Sequence, residues 1–97
     1  QAAVFTRYAR FGMPLQQAVT APRWLLGRTW GEDSTSLKLE SRFDPALVQA
    51  LDEAGHAVAS LAEVTSVMGH AGALLREPDG TLSGAADPRS DGCVAGW

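Results

Sequence analysis

The chain contains no Asn and no Ile, and it has a single Cys and a single Lys among 97 residues. Without Asn there is no acceptor for N-glycosylation. Without a second Cys no internal disulfide can form, so the sequence is compatible with both oxidising and reducing compartments. No stretch approaches the ~20 consecutive apolar residues that a membrane-spanning helix needs, so we expect no membrane partner. These absences exclude a disulfide scaffold and leave the cellular location open.

A basic stripe is also missing. Seven Arg residues and Lys38 are scattered among acidic residues, and the net charge is -3. A surface of this kind does not match the phosphate backbone of a nucleic acid, which we therefore exclude as a partner. The apolar fraction of 45% and the charged fraction of 20% are those of a globular chain. The length predicts one domain, able to bury about 65% of its unfolded surface.

Apolar spacing and flanking residues predict three helices. Each has a stop or start signal of its own: Gly after the first, Pro at both ends of the second, and Asp-Pro before and Gly after the third. The predicted helices cover residues 2–11, 14–21 and 45–54.

Four segments have the composition of strands. Leu37–Glu40 alternates apolar and charged residues, which predicts a strand with one face on the core and one in water. Segments 56–61, 69–76 and 82–86 are the other predicted strands, and Pro78–Gly80 is a turn that joins the last two as a hairpin. Residues 26–36 read as a loop with Trp30 as its large anchor. This order of helices and strands is typical of an α+β fold.

Two short segments far apart in the chain are distinctive. They are Ala21–Trp24 (APRW) and Gly84–Gly92 (GAADPRSDG). Together with 14–20, 37–40, 51–56, 68–71 and 79–80, they resemble the C-terminal part of the small, catalytic subunit of a gamma-glutamyltransferase (gamma-glutamyltranspeptidase). The resemblance covers nearly the whole chain, so residues 1–97 are expected to be a single C-terminal fragment of that subunit.

The resemblance implies the C-terminal half of the α-β-β-α sandwich of an N-terminal-nucleophile hydrolase, with mixed helices and antiparallel strands. Enzymes of that family cleave their own precursor, and the new N-terminal Thr attacks the gamma-glutamyl carbonyl. This chain begins at Gln1, and the family's nucleophile and oxyanion glycines would fall upstream of it. The implied partners are therefore the rest of the small subunit and the large subunit, and the chain alone is expected to be inactive.

By the same resemblance, the intact protein transfers or hydrolyses gamma-glutamyl groups of glutathione-like substrates through a gamma-glutamyl-Thr ester, without a metal or organic cofactor. Two alternatives remain open. In the first, the chain belongs to an acylase that acts on another amide; in the second, it is a non-catalytic structural or interaction domain with the same sandwich elements.

Arg23 and Arg89 are the charged residues that we single out, together with Asp87. Each Arg follows a Pro, so the backbone before it is stiff, and a planar guanidinium held there can bind a carboxylate or the carbonyls at a helix end. Asp87 and Asp91 are the candidate partners. We expect these residues to brace the C-terminal segment and to support maturation of the intact enzyme, without touching substrate.

Other combinations of residues are weaker candidates for a functional site. His56 and His70 are fourteen residues apart and lack the neighbouring ligands of a zinc site. Ser66, His70 and Asp87 can be combined into a triad on paper, but the chain has no Gly-x-Ser-x-Gly signature. His70 lies in a Gly-rich segment that the resemblance places near the gamma-glutamyl pocket, and we assign it no catalytic role.

A fragment of a sandwich would lack the sheet that covers its inner face. We therefore expect Val58, Leu74 and Leu82 to be exposed. The isolated chain is then expected to self-associate, through these faces or through a free strand edge.

Overall fold

The computed structural model describes residues 1–28 and 34–96. The described elements, in chain order, are α1 (Ala2–Ala9), α2 (Leu15–Thr20), β1 (Trp24–Leu26), β2 (Leu37–Glu40), α3 (Pro45–Glu53), β3 (Val58–Leu61), a 3-10 turn (Ser66–Met68), β4 (Gly72–Arg76) and β5 (Leu82–Ala86). Two compact units are present. The terminal unit combines residues 1–21 with the chain from Gly69 onward, and the central unit is Pro22–Met68.

The three predicted helices are confirmed, and local signals account for their ends. The Asp44 carboxylate accepts a hydrogen bond from the Ala46 N–H, 2.9 Å away, which satisfies one free donor in the first turn of α3. Gly55 ends the same helix with a φ of 96°, a conformation that residues with a Cβ rarely adopt.

The terminal unit packs α2 on the β4–β5 hairpin. The two strands are antiparallel, with Leu74 opposite Gly84, as the turn signal predicted. Ala18 and Val19 of α2 and Ala85 of β5 are buried. This small apolar core fixes where α2 ends relative to the segment that follows β5.

The turn of the hairpin contains a carboxylate held by its own loop. Asp79 Oδ1 accepts from the Thr81 N–H at 2.9 Å. Hydrogen bonds from the Thr81 backbone and, next, from the Thr81 side chain lower the pKa of Asp79 below its ordinary value.

We expect Asp79→Asn to destabilise the chain at neutral pH and not at strongly acidic pH. Because the folded-state pKa is depressed, the stabilisation by ionised Asp79 is fully present above the unfolded-state pKa, and it is lost as the pH falls through the folded-state pKa. Urea unfolding of both proteins from neutral to acidic pH measures this. A gap between the two midpoints that persists or widens in acid would contradict it.

The central unit is built on a three-stranded sheet with the order β1-β2-β3. β2 lies in the middle, antiparallel to β1 and parallel to β3. Leu37 and Leu39 of β2 are buried. The parallel pair is joined through α3, the kind of crossover that parallel strands require.

Three expectations about this sheet need correction. β1 was not predicted, because residues 24–26 offer too short a pattern. The strands are not all antiparallel, since β2 and β3 run parallel. The wet face predicted for β2 is wrong: Lys38 and Glu40 are 6% and 0% exposed, because the segments next to the strands contact both side chains on that face. Trp30 lies outside the described residues.

The exposure predicted for three apolar strand residues is confirmed for the two in the β4–β5 hairpin. Leu74 is 86% and Leu82 is 74% exposed, whereas Val58 is half-buried. Within residues 1–28 and 34–96, no helix combines the length and apolar character needed to cross a bilayer.

Candidate functional site

Asp87 and Arg89 form a buried ion pair at the end of β5, which we call the arginine latch. Arg89 Nη1 lies 3.0 Å from Asp87 Oδ1, and their side chains are 0% and 1% exposed. The Arg89 N–H also donates to Asp87 Oδ1, at 3.0 Å. The other carboxylate oxygen, Oδ2, accepts from the Ala71 N–H at 2.6 Å. The pair therefore ties the segment after β5 to the segment before β4.

The latch also reaches the C-terminal end of α2. Arg89 Nη1 donates to the Val19 carbonyl and Nη2 to the Ala21 carbonyl, each at 3.2 Å. Arg7 Nη1 donates to the Ala18 and Ala21 carbonyls at 3.5 and 3.4 Å. Two cations thus meet the carbonyls that a helix end leaves without partners, where the helix dipole favours positive charge.

Local sequence explains how the latch is formed. Pro88 fixes the backbone between the two charged residues, and the Ser90 N–H closes a turn onto the Asp87 carbonyl at 3.1 Å. Gln16 Nε2 of α2 donates to the Ala86 carbonyl at 2.9 Å, beside the latch. The turn aims the guanidinium of Arg89 at α2 while keeping it on the Asp87 carboxylate.

Arg23 is buried in the central unit, on a different set of partners. Its backbone N–H donates to Glu40 Oε2 at 2.8 Å, and its guanidinium Nη1 donates to the Met68 carbonyl at 3.4 Å. Arg23 therefore connects the start of β1 to the end of this unit. The sequence analysis expected the Arg23 guanidinium to bind a carboxylate or helix-end carbonyls, with Asp87 and Asp91 as candidate partners, and it did not predict the contacts with Glu40 and Met68.

Glu40 is the central residue of a second buried cluster. Its Oε2 accepts from the Arg23 N–H and from Arg42 Nη2, which is 3.3 Å away. Its Oε1 accepts from the Thr65 N–H at 3.3 Å, and Arg42 Nε donates to the Glu63 carbonyl at 2.7 Å. One carboxylate thus joins β1, β2 and the segment after β3.

Lys38 is the other buried charge of β2. Its Nζ lies 2.8 Å from the Gly27 carbonyl and 3.3 Å from Ser36 Oγ. These contacts tie β2 to the segments that follow β1 and precede β2. Because apolar and charged residues alternate in β2, the sequence analysis placed Lys38 and Glu40 on a face exposed to water. The strand-helix-strand order around them was the available signal, because it predicts a parallel pair with two covered faces.

The histidines and the cysteine are not assembled into a reactive site. His56 and His70 are exposed, and so is Cys93. In the described part of the chain, no group of three or more metal-ligating side chains is brought together. Asp87 Oδ2 accepts a hydrogen bond from the Ala71 N–H, and Oδ1 accepts one from Arg89 Nη1. Because both oxygens of this carboxylate hold chain segments together, Asp87 is a poor candidate for the Ser66–His70–Asp87 triad.

The central unit also has an apolar cavity of about 410 Å³. Its lining is Trp24, Leu26, Leu37, Leu39, Phe43, Leu47, Leu51 and His56. A cavity with this lining can accept apolar groups, but it offers few polar groups to orient a substrate.

Buried charges in both units are therefore bonded to each other and to the backbone. The groups that make up the latch and the Glu40 cluster hold chain segments together. None of these contacts positions a nucleophile with a base, which is the arrangement that covalent catalysis requires.

Residues 1–97 match the gamma-glutamyltranspeptidase family over the full length of the chain. The chain belongs to this family. Its α+β fold is that of enzymes in the N-terminal-nucleophile hydrolase superfamily, as the resemblance in the sequence implied. Its relatives are enzymes of this superfamily, including amidohydrolases and acylases.

Two relatives and one solved structure illustrate the similarity. The chain is 59% identical over 97 residues to an oxamate amidohydrolase proenzyme from Klebsiella pneumoniae subsp. pneumoniae. It is 43% identical over 96 residues to a glutathione hydrolase-like proenzyme from Bacillus subtilis. It matches a cephalosporin acylase structure from Bacillus halodurans with a TM-score of 0.81 and 31% identity, over 98% of this chain and 17% of that one.

These matches also show the scale of the relatives. The alignments cover 100% and 99% of this chain but only 18% of each proenzyme. The chain therefore corresponds to a small part of each of these proenzymes.

Proposed function

We propose that this chain is the bracing C-terminal part of the catalytic portion of an amide-cleaving enzyme, and that it contributes no reacting group. The observation that carries the proposal is the set of partners to which the buried charged side chains are bonded. Asp87 and Arg89 bond to each other and to the end of α2, and Glu40 bonds to three chain segments. Family membership supplies the reaction class, amide cleavage after self-processing of a precursor.

The arginine latch is proposed to support maturation. Self-cleavage requires the reacting groups to be held in a fixed geometry, and small displacements of these groups lower the reaction rate strongly. Asp87 and Arg89 hold the segment after β5 to α2, while Arg23 holds the start of β1. Weakening these contacts would impair processing and turnover of the intact enzyme without changing a substrate contact.

Two substrate classes are proposed for the intact enzyme. The first is the gamma-glutamyl amide of glutathione-like compounds, cleaved through an acyl-Thr ester to give glutamate with water or a new amide with an amine. The second is a small amide such as oxamate, and the 59% identity to an oxamate amidohydrolase favours it. Hydrolysis of the oxamate amide bond by water would then give oxalate and ammonia.

The two classes are separated by assaying the intact protein, extended through its nucleophile and its large subunit, on two substrates. A chromogenic gamma-glutamyl anilide reports anilide release, and oxamate reports ammonia release. We expect the processed, extended protein to cleave at least one of them and the 97-residue chain to cleave neither.

Preference for oxamate would assign the small-amide reaction, and preference for the anilide would assign gamma-glutamyl chemistry. If the extended protein stays unprocessed and cleaves neither substrate nor a cephalosporin side-chain amide, the non-catalytic interpretation replaces both. Activity of the 97-residue chain alone would overturn its assignment as a brace.

A further inference from the structure

The chain passes between the two units at two points, which we call the junctions. The terminal unit stops at Ala21 and the central unit begins at Pro22, while the central unit ends at Met68 and the terminal unit resumes at Gly69. If each unit fixes its own residues beside the junctions, either one can hold together without help from the other. The hydrogen bonds at these points are therefore informative.

The central unit is closed at the junctions by a hydrogen bond of its own. Arg23 is its second residue, and Arg23 Nη1 donates to the carbonyl of Met68, its last residue, at 3.4 Å. The Arg23 carbonyl also accepts from the Glu40 N–H at 3.1 Å, which ties the start of the unit to its central strand. The beginning and the end of the central unit are thus joined to each other.

The arginine latch closes the terminal unit in the same way. Arg89 Nη2 donates to the carbonyl of Ala21, the last residue before the first junction, at 3.2 Å. Asp87 Oδ2 accepts from the N–H of Ala71, two residues after Gly69, and Asp87 is paired with Arg89. All of these residues belong to the terminal unit. The latch therefore joins the two segments of this unit beside the points where the chain leaves and returns.

Packing follows the same division. In the terminal unit, α1 packs on α2, and α2 packs on β4 and β5, with Ala18, Val19 and Ala85 buried. In the central unit, β2 pairs with β1 and β3, and α3 packs on β3, with Leu37 and Leu39 buried. Segments that have a core of their own open as separate cooperative units under native conditions.

We propose that the central unit opens and recloses as one cooperative unit while the terminal unit stays folded with its latch closed. The opened central segment remains a loop between the two junctions, and the entropy cost of closing such a loop rises slowly with its length. Opening breaks the Glu40 cluster and the sheet around it and leaves the Asp87–Arg89 pair intact. This conformational step is built into the chain and does not depend on which amide the intact enzyme cleaves.

Hydrogen–deuterium exchange of the 97-residue chain, followed by mass spectrometry, tests this opening. Peptides that cover Leu37–Glu40 report on the central unit, and peptides that cover Leu82–Ala86 report on the terminal unit. Glu40→Ala is expected to speed exchange of the central peptides about a hundredfold, because it removes the buried acceptor of the Arg23 and Thr65 N–H groups. Exchange of the terminal peptides is expected to stay unchanged.

Glu63→Ala is the matched control, since Glu63 is an exposed glutamate of the same unit, and it is expected to change neither set of peptides. Equal acceleration of both sets by Glu40→Ala overturns the proposal, because the chain would then open as a whole. If Glu40→Ala leaves the central unit unfolded, terminal peptides that remain protected support the proposal, and terminal peptides that lose protection overturn it.

Urea below the unfolding transition gives a second measurement on the unaltered chain. Exchange of the Leu37–Glu40 peptides is expected to rise with urea at concentrations where exchange of the Leu82–Ala86 peptides is still constant, because denaturant promotes an opening in proportion to the surface that it exposes. Exchange that rises in parallel in both sets from the lowest urea concentration would show one cooperative unit and overturn the proposal.

Discussion

Replacing Arg89 by Ala is expected to lower the free energy of unfolding by ~3–5 kcal/mol, the range for breaking a buried ion pair from one side. Asp87 would stay behind with its side chain 1% exposed and without the guanidinium 3.0 Å away. The Val19 and Ala21 carbonyls would lose the donors at 3.2 Å. Urea unfolding followed by far-UV circular dichroism measures the change.

Arg10→Ala is the matched control, because Arg10 is an exposed arginine in the same unit. Arg89→Lys should recover part of the loss, since it restores the charge without the planar pair of donors. Asp87→Ala combined with Arg89→Ala should cost less than the two single changes added together, because no buried charge is left alone. If Arg89→Ala costs no more than Arg10→Ala, the latch does not hold this unit together.

The rate of self-cleavage in the extended protein is a second measure of what the latch contributes. In the extended protein, Arg89→Ala is expected to slow self-cleavage at a temperature where the protein is still folded. Self-cleavage at the unaltered rate under those conditions would leave Arg89 with a role in stability alone.

Replacing Glu40 by Ala is expected to cost about 3 kcal/mol, the lower part of the range for a broken buried pair, because its partner Arg42 has a side chain that is 26% exposed and can still meet water. The loss remains large because Glu40 is fully buried and accepts from two backbone N–H groups, those of Arg23 and Thr65. Buried donors left without an acceptor are costly. The urea midpoint of the chain measures this change.

Glu63→Ala is the control for Glu40. Glu63 is exposed, and it takes part in the cluster only through its backbone carbonyl. Glu40→Gln should fall between the two, because the amide oxygen can replace one carboxylate oxygen as acceptor and the amide nitrogen cannot. Similar midpoints for Glu40→Ala and Glu63→Ala would show that the cluster contributes little to stability.

Local signals were sufficient to predict the helices and the hairpin. α3 illustrates why: Asp44 and Gly55 act on the ends of their own helix, within reach of a short sequence window. The latch was predictable only in part. Pro88 marks Arg89 as restrained, but the carbonyls that Arg89 binds lie 70 and 68 residues away in sequence. Those contacts depend on how α2 packs on β5.

The burial of Glu40 was missed for a related reason. Alternation of apolar and charged residues in β2 describes a strand with one wet face only when nothing covers the second face. Here the segments around β2 cover that second face: Glu40 accepts from the backbone N–H groups of Arg23 and Thr65, and Lys38 donates to the Gly27 carbonyl. The α+β class was within reach of the sequence, whereas the pairing of charges required the tertiary structure.

The two-segment construction of the terminal unit sets an order for folding during synthesis. The central unit is one continuous stretch, whereas the terminal unit needs residues on both sides of it. When α1 and α2 leave the ribosome, β5 and Arg89 have not yet been made. Closing the intervening loop adds only about 0.6 kcal/mol for each doubling of its length, so the delay costs little stability. During this interval the apolar side of α2, with Ala18 and Val19, lacks β5 as its packing partner, which makes α2 a point where a chaperone would engage the nascent chain.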